Sequence, residues 1–425
     1  MKFVPYWLDT APQGPDRSRT EVGGEADVAV VGAGLTGLSA ALHLARNGAT
    51  VQVLERETVG WGASGRNGGM ATTGMSIGYG EAADRYGFAA ATAYFRAYDD
   101  AIDTLEKLVG EEGIDCHFAR TGKLTLAAKP AHFEGLRKSQ ALMAERLGRE
   151  THLVSRSQLR SEIGSDFYHG GLVDPRGAGL HVGKFVKGLA ESAARLGVTI
   201  HEKAPVEEVR RLDGTRHELV TPRGVVRADR VLVATSGYTS RPFRWQQVRI
   251  APVGSFIVVT EPLGEEVCDE LMPSRRMASD TKNLLYYFRI TPDHRLLFGG
   301  RARFAISNPQ SDEKSGRILR EAMITVFPQL AHAKVDYCWG GLVDMSLDRM
   351  VHAGQQDGLY YSMGYSGHGV QMATHMGKQM AEYMNGALDA NPWRDLAFKR
   401  IPGHFGPPWF LPFAGGFYKL MDLIK

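Results

Sequence analysis

The stretch Val28-Ala-Val-Val-Gly-Ala-Gly-Leu-Thr-Gly37 constrains this chain more than any other. Four apolar residues, Val28 to Val31, read as a strand buried on both faces. They run directly into Gly32-x-Gly34-x-x-Gly37, and a helical pattern follows through Ala41, Leu44 and the turn at Gly48. Gly32 permits the tight turn out of the strand. Gly34 offers bare backbone to a pyrophosphate, and Gly37 lets the helix pack closely on the strand. Leu35 and Thr36 fall in the first helical turn, whose free N–H groups and dipole favour phosphate oxygens. A second strand, Val51-Gln-Val-Leu-Glu55, ends in an acid 18 residues past Gly37. That carboxylate is placed to accept hydrogen bonds from a ribose diol, with Arg56 beside it. Standing alone the motif also fits a glycine turn without a ligand; the surrounding strand, helix, strand and acid favour a dinucleotide.

A chain of 425 residues is long for one hydrophobic core, so about two domains are expected. A net charge of +3 is too small to argue for nucleic acid or an anionic membrane. Cys116, Cys268 and Cys338 form no CxxC pair, which suits a reducing cytoplasm. The N-terminus lacks the apolar core and cleavage site of a signal peptide. No apolar run approaches the roughly 18 residues of a membrane span.

Taken in order, residues 1–23 read as an arm, with Tyr6-Trp7-Leu8 a small anchor on the surface. Gly60-Trp-Gly-Ala-Ser-Gly-Arg-Asn-Gly-Gly69 holds five glycines in ten residues and is predicted to be irregular. Set directly after the strand bearing Glu55, its Ser64, Arg66 and Asn67 suit a loop laid against a flat ligand; a merely flexible loop is the alternative. Helices are predicted over 88–110, 131–148, 181–197, 312–326 and 370–387. The strand ending Leu232-Val-Ala-Thr-Ser-Gly237 repeats the pattern of apolar strand then small residues. Short apolar segments between 249 and 300, separated by Pro, Gly and Asp turns, predict an antiparallel sheet. Gly364-Tyr-Ser-Gly-His-Gly369 precedes the last long helix and is a second candidate for a helix N-terminus facing a ligand. The aromatic tail from Pro407 is expected to pack along the body, with a membrane-surface segment as the alternative.

The fold class predicted is therefore α/β, a Rossmann-type domain with a parallel sheet and an inserted α+β domain on a largely antiparallel sheet. The nucleotide domain is discontinuous, over 24–80, 150–240 and 340–390. Residues 81–149 and 241–339 form the substrate or cap domain, and 391–425 the tail. Arg289 and Arg301, at the ends of neighbouring strands, are candidates to clamp a substrate carboxylate, or else ordinary strand arginines. Tyr286 is a further candidate, although Tyr286 and Tyr287 alternate faces and only one can point to the pocket. His368 either accepts a proton or supports its loop through the backbone. No Ser/His/Asp triad or metal-spaced His/Cys cluster stands out.

These motifs, with Tyr286-Tyr-Phe-Arg289, Asp293-His-Arg-Leu-Leu-Phe-Gly-Gly300 and Pro408-Trp-Phe, resemble the FAD-dependent D-amino-acid oxidase superfamily. Within it the chain is most similar to the gamma-glutamylputrescine oxidase and glycine oxidase-like branch. The resemblance spans nearly the whole chain. It implies FAD, with pyrophosphate on Gly32, Gly34, Leu35, Thr36 and Gly37, ribose on Glu55, Arg56 as a further cofactor-binding residue, and adenine near Val206. It implies a flavin ring beside Ser64, Arg66, Asn67, Gly68, Gly69 and Met70, and beside Gly364, Gly367, His368, Gly369 and Val370, with Gly237 close by. The implied reaction is oxidation of the C–N bond of a small amine or amino acid by hydride transfer to flavin N5. The imine is then hydrolysed, and electrons pass to O2 with release of H2O2, or to a quinone or other acceptor. Some members attach FAD covalently, one group through a cysteine seven residues before the aspartate matching Asp348. That position here is Gly341, and Cys338 misses it by three. Another group uses a histidine in the loop matching 61–69, and none is present. Non-covalent FAD is the expectation.

Overall fold

The computed structural model describes residues 1–300 and 309–424. Its first large sheet runs, edge to centre to edge, through His352–Gln356, Leu359–Met363, Gly224–Val233, Gly24–Val31, Val51–Leu54 and Thr199–His201. The hairpin of Glu208–Asp213 and Arg216–Thr221 extends from Gly224–Val233. The four strands from 359–363 to 51–54 pair in parallel, as does 199–201 with 51–54. Strand Gly24–Val31 lies mid-sheet, and its alternation feeds two cores. Val28 and Val30 pack into one cluster under the helices, while Ala29 and Val31 pack into a second cluster on the opposite face. Helices Leu35–Arg46 and Gly369–Met384 cross on the first face. Gly377 makes the close crossing possible, since a Cβ there would sit 2.5 Å from the Thr36 carbonyl oxygen and 2.6 Å from the Ser39 Cβ.

The second sheet orders as Val335–Met345, Ala251–Thr260, Leu296–Gly300, Tyr286–Ile290, Met277–Asp280, Lys123–Leu126, Gly170–Asp174 and His152–Ser155. Every pairing is antiparallel except 123–126 with 277–280. This moves the predicted domain bounds. Strands 152–155 and 170–174, which the sequence pattern places in the nucleotide domain, complete the second sheet, so the chain leaves that sheet only after Asp174 and rejoins the first at Thr199–His201. The strand from Val335 likewise carries second-sheet pairing past 340, as far as Met345. Helix Phe88–Glu111, expected in the cap, packs against Gly369–Met384, with Tyr98 edge-on to His368 at 5.5 Å between ring centres. Which sheet a strand joins is a long-range pairing, and local residue patterns do not encode it.

Two local expectations are also revised. The N-terminal anchor is no surface feature. Residues Tyr6–Thr10 form a helical turn whose Trp7 is fully buried, donating its indole N–H to the Asn67 carbonyl oxygen at 2.7 Å. The glycine-rich loop 60–69 contains one helical turn, Ala63–Arg66. The tail forms a helix, Leu411–Ile424. Asp422 pins it to the body, accepting from the Asn283 and Leu284 amides at 2.8 and 2.9 Å. Phe405, Trp409, Phe413 and Phe417 stay exposed. Among the described residues no helix is long and apolar enough to cross a membrane.

Candidate active site

A cavity of about 1140 Å³ runs between the two sheets, somewhat larger than ordinary ligand pockets. One end is the carboxyl edge of the first sheet. Strand Gly24–Val31 ends at Gly32, which has φ +108 and a Cβ position 2.9 Å from the Ala234 carbonyl oxygen, a place only glycine fills. Gly34 caps helix Leu35–Arg46 without any side chain of its own. The Leu35 N–H donates to Ser64 Oγ at 2.9 Å, so the loop after the second strand reaches back over the helix N-terminus. Gly37 lines no cavity. It sits against the Gly32 carbonyl oxygen and Val30, the close helix–strand packing expected of it.

Glu55 braces the turn. One carboxylate oxygen accepts from the Ala33 amide and the other from the Glu57 amide, each at 2.8 Å. Burial raises its carboxyl pKa and these two amides oppose the rise. Arg56 and Val206 complete this end of the cavity.

The middle of the cavity is formed by the glycine loop and the loop before the last long helix. Ser64, Arg66, Asn67, Gly68 and Met70 line it, and Gly367, His368, Gly369 and Val370 face them. Much of this loop is tied by its own residues. Asn67 donates to the Ala63 and Ser64 carbonyls at 3.0 Å and accepts from the Gly69 amide at 2.8 Å. Arg66 donates to the Trp61 carbonyl at 2.7 Å and the Gly340 carbonyl at 3.1 Å. Gly69, Gly237 and Gly364 do not line the cavity. Gly364 donates its amide to Asp344 at 2.8 Å, Gly237 packs on Leu342, and the Gly69 carbonyl points away from the cavity. His368 has no protein partner at Nδ1. Burial, with the nearby Lys123 ammonium, pushes its pKa down to about 3, so the ring is neutral.

The far end is a chamber against the second sheet. Register sets Thr125, Ser279 and Tyr287 in one row across three strands. Tyr287 is wedged between the loop and the sheet. Its ring lies 3.2 Å from the Cβ position of Gly68, and it covers Gly299, whose missing side chain makes room for it. Its hydroxyl is 3.2 Å from Ser255 Oγ. Tyr286 takes the opposite face, packing on Phe298 beneath the Lys282 ammonium, and lines no part of the cavity.

Arg289 departs most from its expected place. It shares the face of Tyr287 but lies beyond the cavity, buried under the loop. Its guanidinium donates to the carbonyls of Gly69, Leu180 and Ile290 and touches no open space. Gly179 admits it, since a Cβ there would be 2.8 Å from the guanidinium carbon. Burial lowers its pKa to about 10. Arg289 therefore fastens the loop from behind and is not placed to clamp a substrate. Arg301 lies outside the described residues.

Several cavity residues had no signal in the sequence. Asp344, whose carboxyl is pushed up by burial, organises the turn at Gly364 and lines the cavity. Tyr365 bonds Thr36 at 2.8 Å, tying the second loop to helix Leu35–Arg46. Lys123, Thr125, Ser255 and Ser279 line the chamber from strands that carry no motif. Strand alternation would have selected Lys123 and Thr125 together once their sheet was known.

A family model described as FAD dependent oxidoreductase (DAO) matches residues 27–383. The chain is 33% identical over 392 residues to the gamma-glutamylputrescine oxidoreductase of Escherichia coli, covering 92% of this chain and 88% of that protein. It is 35% identical over 367 residues to a probable oxidoreductase, OrdL, of Haemophilus influenzae, covering 85% of this chain and 83% of that protein. The fold is that of the glycine oxidase of Geobacillus kaustophilus, with a TM-score of 0.74 at 20% identity over 90% of this chain and all of that one.

Proposed function

The chain belongs to the family of FAD-dependent oxidoreductases (DAO), and from that premise we propose that it oxidises the C–N bond of a small amine or amino acid. The observation that carries the reading is the single cavity joining a phosphate-type helix N-terminus to a chamber of polar side chains. The residues suit FAD along that length. The bare N-terminus at Gly34 and the N–H groups behind it would take the pyrophosphate, and Glu55 the ribose. Val206 would flank the adenine, and Ser64 to Met70 with Gly367 to Val370 would hold the ring. Attachment is non-covalent, since the cavity wall offers Gly341 rather than a thiol. Cys338, one of three buried cysteines, stays hydrogen-bonded to the Asp312 carbonyl outside the cavity.

Bound FAD would supply a two-electron acceptor for the hydride on the carbon beside the nitrogen. The chain's own part is to position that carbon and exclude water. Tyr287, Thr125 and Ser279 present one row of polar groups from a rigid sheet, and Phe410 and Leu411 at the start of the tail add apolar wall to the cavity. Neutral His368, with an open ring nitrogen, can hydrogen-bond a substrate amine and so orient it, but with a pKa of about 3 it is too weak a base to take the proton of an ammonium. The oxidised substrate leaves as an imine and is hydrolysed to a carbonyl compound and an amine.

The test is an anaerobic screen of amines and amino acids for loss of the flavin's visible absorbance, followed by oxygen uptake and peroxide release with any that react. Bleaching by none of a broad panel would refute the reading. Acid precipitation should leave flavin in the supernatant; a yellow pellet would refute non-covalent attachment. One observation favours a different electron acceptor. Phe405, Trp409, Phe413 and Phe417, each more than half exposed, form an apolar strip on the tail suited to meeting a membrane quinone pool. Turnover with quinone and none with O2 would select that acceptor.

A further inference from the structure

Lys123 opens the strand Lys123–Leu126 at the wall of the substrate chamber. Alternation sends Leu124 and Leu126 into the core of the second sheet and leaves Lys123 and Thr125 on the cavity side. The ammonium has three donors. Its described protein hydrogen bond goes to the Thr73 carbonyl oxygen at 3.1 Å.

The strand register sets Asp174 directly opposite Lys123. That carboxylate is already occupied. Both its oxygens accept from Arg149, and one also accepts from the Arg176 amide. Arg149 pairs with Asp99 as well, and the Arg176 guanidinium faces Asp99 at 3.4 Å. Two arginines thus balance two aspartates, and Lys123 is left without a carboxylate of its own; burial lowers its pKa, and Asp174, already paired with Arg149, only partly opposes this. Among the described residues it forms no ion pair, and the segment 301–308 contains no Asp or Glu. An ammonium held out of bulk water without an anion is costly, and the cost is relieved when an anion arrives. A lysine kept only for packing would not need to face the cavity. The side chain best expected to meet a substrate carboxylate, Arg289, is turned under the loop and donates to three backbone carbonyls. His368 adds a second open polar atom to the same space, its unpartnered Nδ1.

We propose that Lys123 is the anion-binding residue of the chamber, and that the preferred substrate is an amine that also carries a carboxylate. The carboxylate takes the free N–H donors of Lys123 in charge-assisted hydrogen bonds, leaving the carbon–nitrogen bond to the flavin side of the cavity. This rests on the reading of the site as one for amine oxidation.

The test uses the FAD-loaded enzyme and its K123M, K123Q and K123R variants, each checked for FAD content and melting temperature. First, acetate and benzoate are titrated while the flavin absorbance is followed. These anions should bind the wild type, and K123M should bind them at least about tenfold more weakly, the loss of one charge-assisted contact. K123R should retain most of the affinity. Second, flavin bleaching is compared for matched pairs, such as glycine with methylamine and 4-aminobutanoate with butylamine. The wild type should favour the carboxylated member of at least one pair, and K123M should lose that preference. If K123M does not load FAD, K123Q gives the same comparison. Unchanged anion affinity in the neutral variants, or no anion binding by the wild type, overturns the proposal. Bleaching by neither member of any pair would refute amine oxidation, while the anion titration would still decide the role of Lys123.

Discussion

Gly377 does not line the cavity, and its substitution by alanine should still loosen the cofactor. It lies where helix Gly369–Met384 crosses helix Leu35–Arg46. A Cβ on it would stand 2.5 Å from the Thr36 carbonyl oxygen, 2.6 Å from the Ser39 Cβ and 2.9 Å from the Ala40 nitrogen. Real Cβ atoms essentially never come within 3.0 Å, and ordinary contact begins at 3.4 Å, so the helices must part by 0.5 to 0.9 Å. Two of those neighbours are backbone and cannot rotate away. Two buried bonds bridge the same region, Ser39 Oγ to the Thr374 carbonyl at 2.7 Å and Thr36 to Tyr365 at 2.8 Å. Stretching each by that amount puts it at or beyond the limit of a good hydrogen bond. Overpacking costs about 1–3 kcal/mol, and two weakened bonds add about 1–2 kcal/mol. At about 0.9 kcal/mol per degree for a chain of this size, melting should fall by roughly 2–6 °C. The displaced helix is the one whose N-terminus faces the cavity, so FAD should bind more weakly too. Thermal melts of apo and loaded protein, with flavin content after gel filtration, measure both effects. Gly110→Ala is the control, since its Cβ would meet nothing within 4 Å, and it should stabilise by about 0.5–1 kcal/mol. A G377A protein that melts and retains flavin like the wild type would refute the reasoning.

Three further outcomes follow from the same geometry. Arg289→Met leaves the Leu180 and Ile290 carbonyls short of a donor, while removing a buried charge; a net loss of about 2 kcal/mol and faster flavin release are expected in urea titrations, with no change in preference among substrates. A shift in that preference would restore Arg289 to substrate binding. Gly299→Ala would place a Cβ 2.6 Å from the Tyr287 hydroxyl, forcing the ring out of the chamber. KM should rise about tenfold with flavin content intact, and an unchanged KM would show that Tyr287 does not shape the chamber. His368, held neutral with a pKa of about 3 against an ordinary 6.5, makes the fold acid-sensitive. The unfolded chain takes up the proton first, so stability is complete above about pH 6.5 and falls by up to about 1.4 kcal/mol per pH unit below it. His368→Gln should flatten that slope in urea midpoints measured from pH 7 to 4, and parallel slopes would contradict the assignment.

What the sequence discloses and what it hides divide along the distance between interacting residues. The turn at Gly32, the brace at Glu55 and the packing at Gly37 involve residues within about one strand–helix–strand unit, and local spacing captures them. Tyr286 and Arg289 show the opposite case. The strand's own two-residue period puts Tyr287 and Arg289 on one face and Tyr286 on the other, so no pocket on one face receives both Tyr286 and Arg289. Which face meets the cavity depends on pairing with Met277–Asp280 and Leu296–Gly300. Whether Arg289 reaches open space depends on Gly69 and Leu180, 220 and 109 residues away. Gly377 and Gly179 were silent for the same reason. A glycine required by a neighbour from elsewhere in the chain looks, in the sequence, like any other.

The three glycine-punctuated segments converge because of register. Leu54 pairs with Val31, Val31 with Val233, and Val233 with Tyr361, so one row crosses four parallel strands. Within three residues of that row each strand ends, at Glu55, Gly32, Ala234 and Gly364. Parallel pairing puts all four exits on one edge of the sheet, and ligands of open α/β sheets bind at that edge. Thus the motif at Gly32 does not by itself define a long cofactor site. A shift of two residues in any one pairing would move its loop along the edge by about 6.6 Å and break the continuity of the cavity. The second sheet then fixes what the cavity can accept. It contributes Lys123, Thr125, Ser279 and Tyr287 from three strands drawn from two distant parts of the chain, and their chemistry becomes a site only once the sheet has formed.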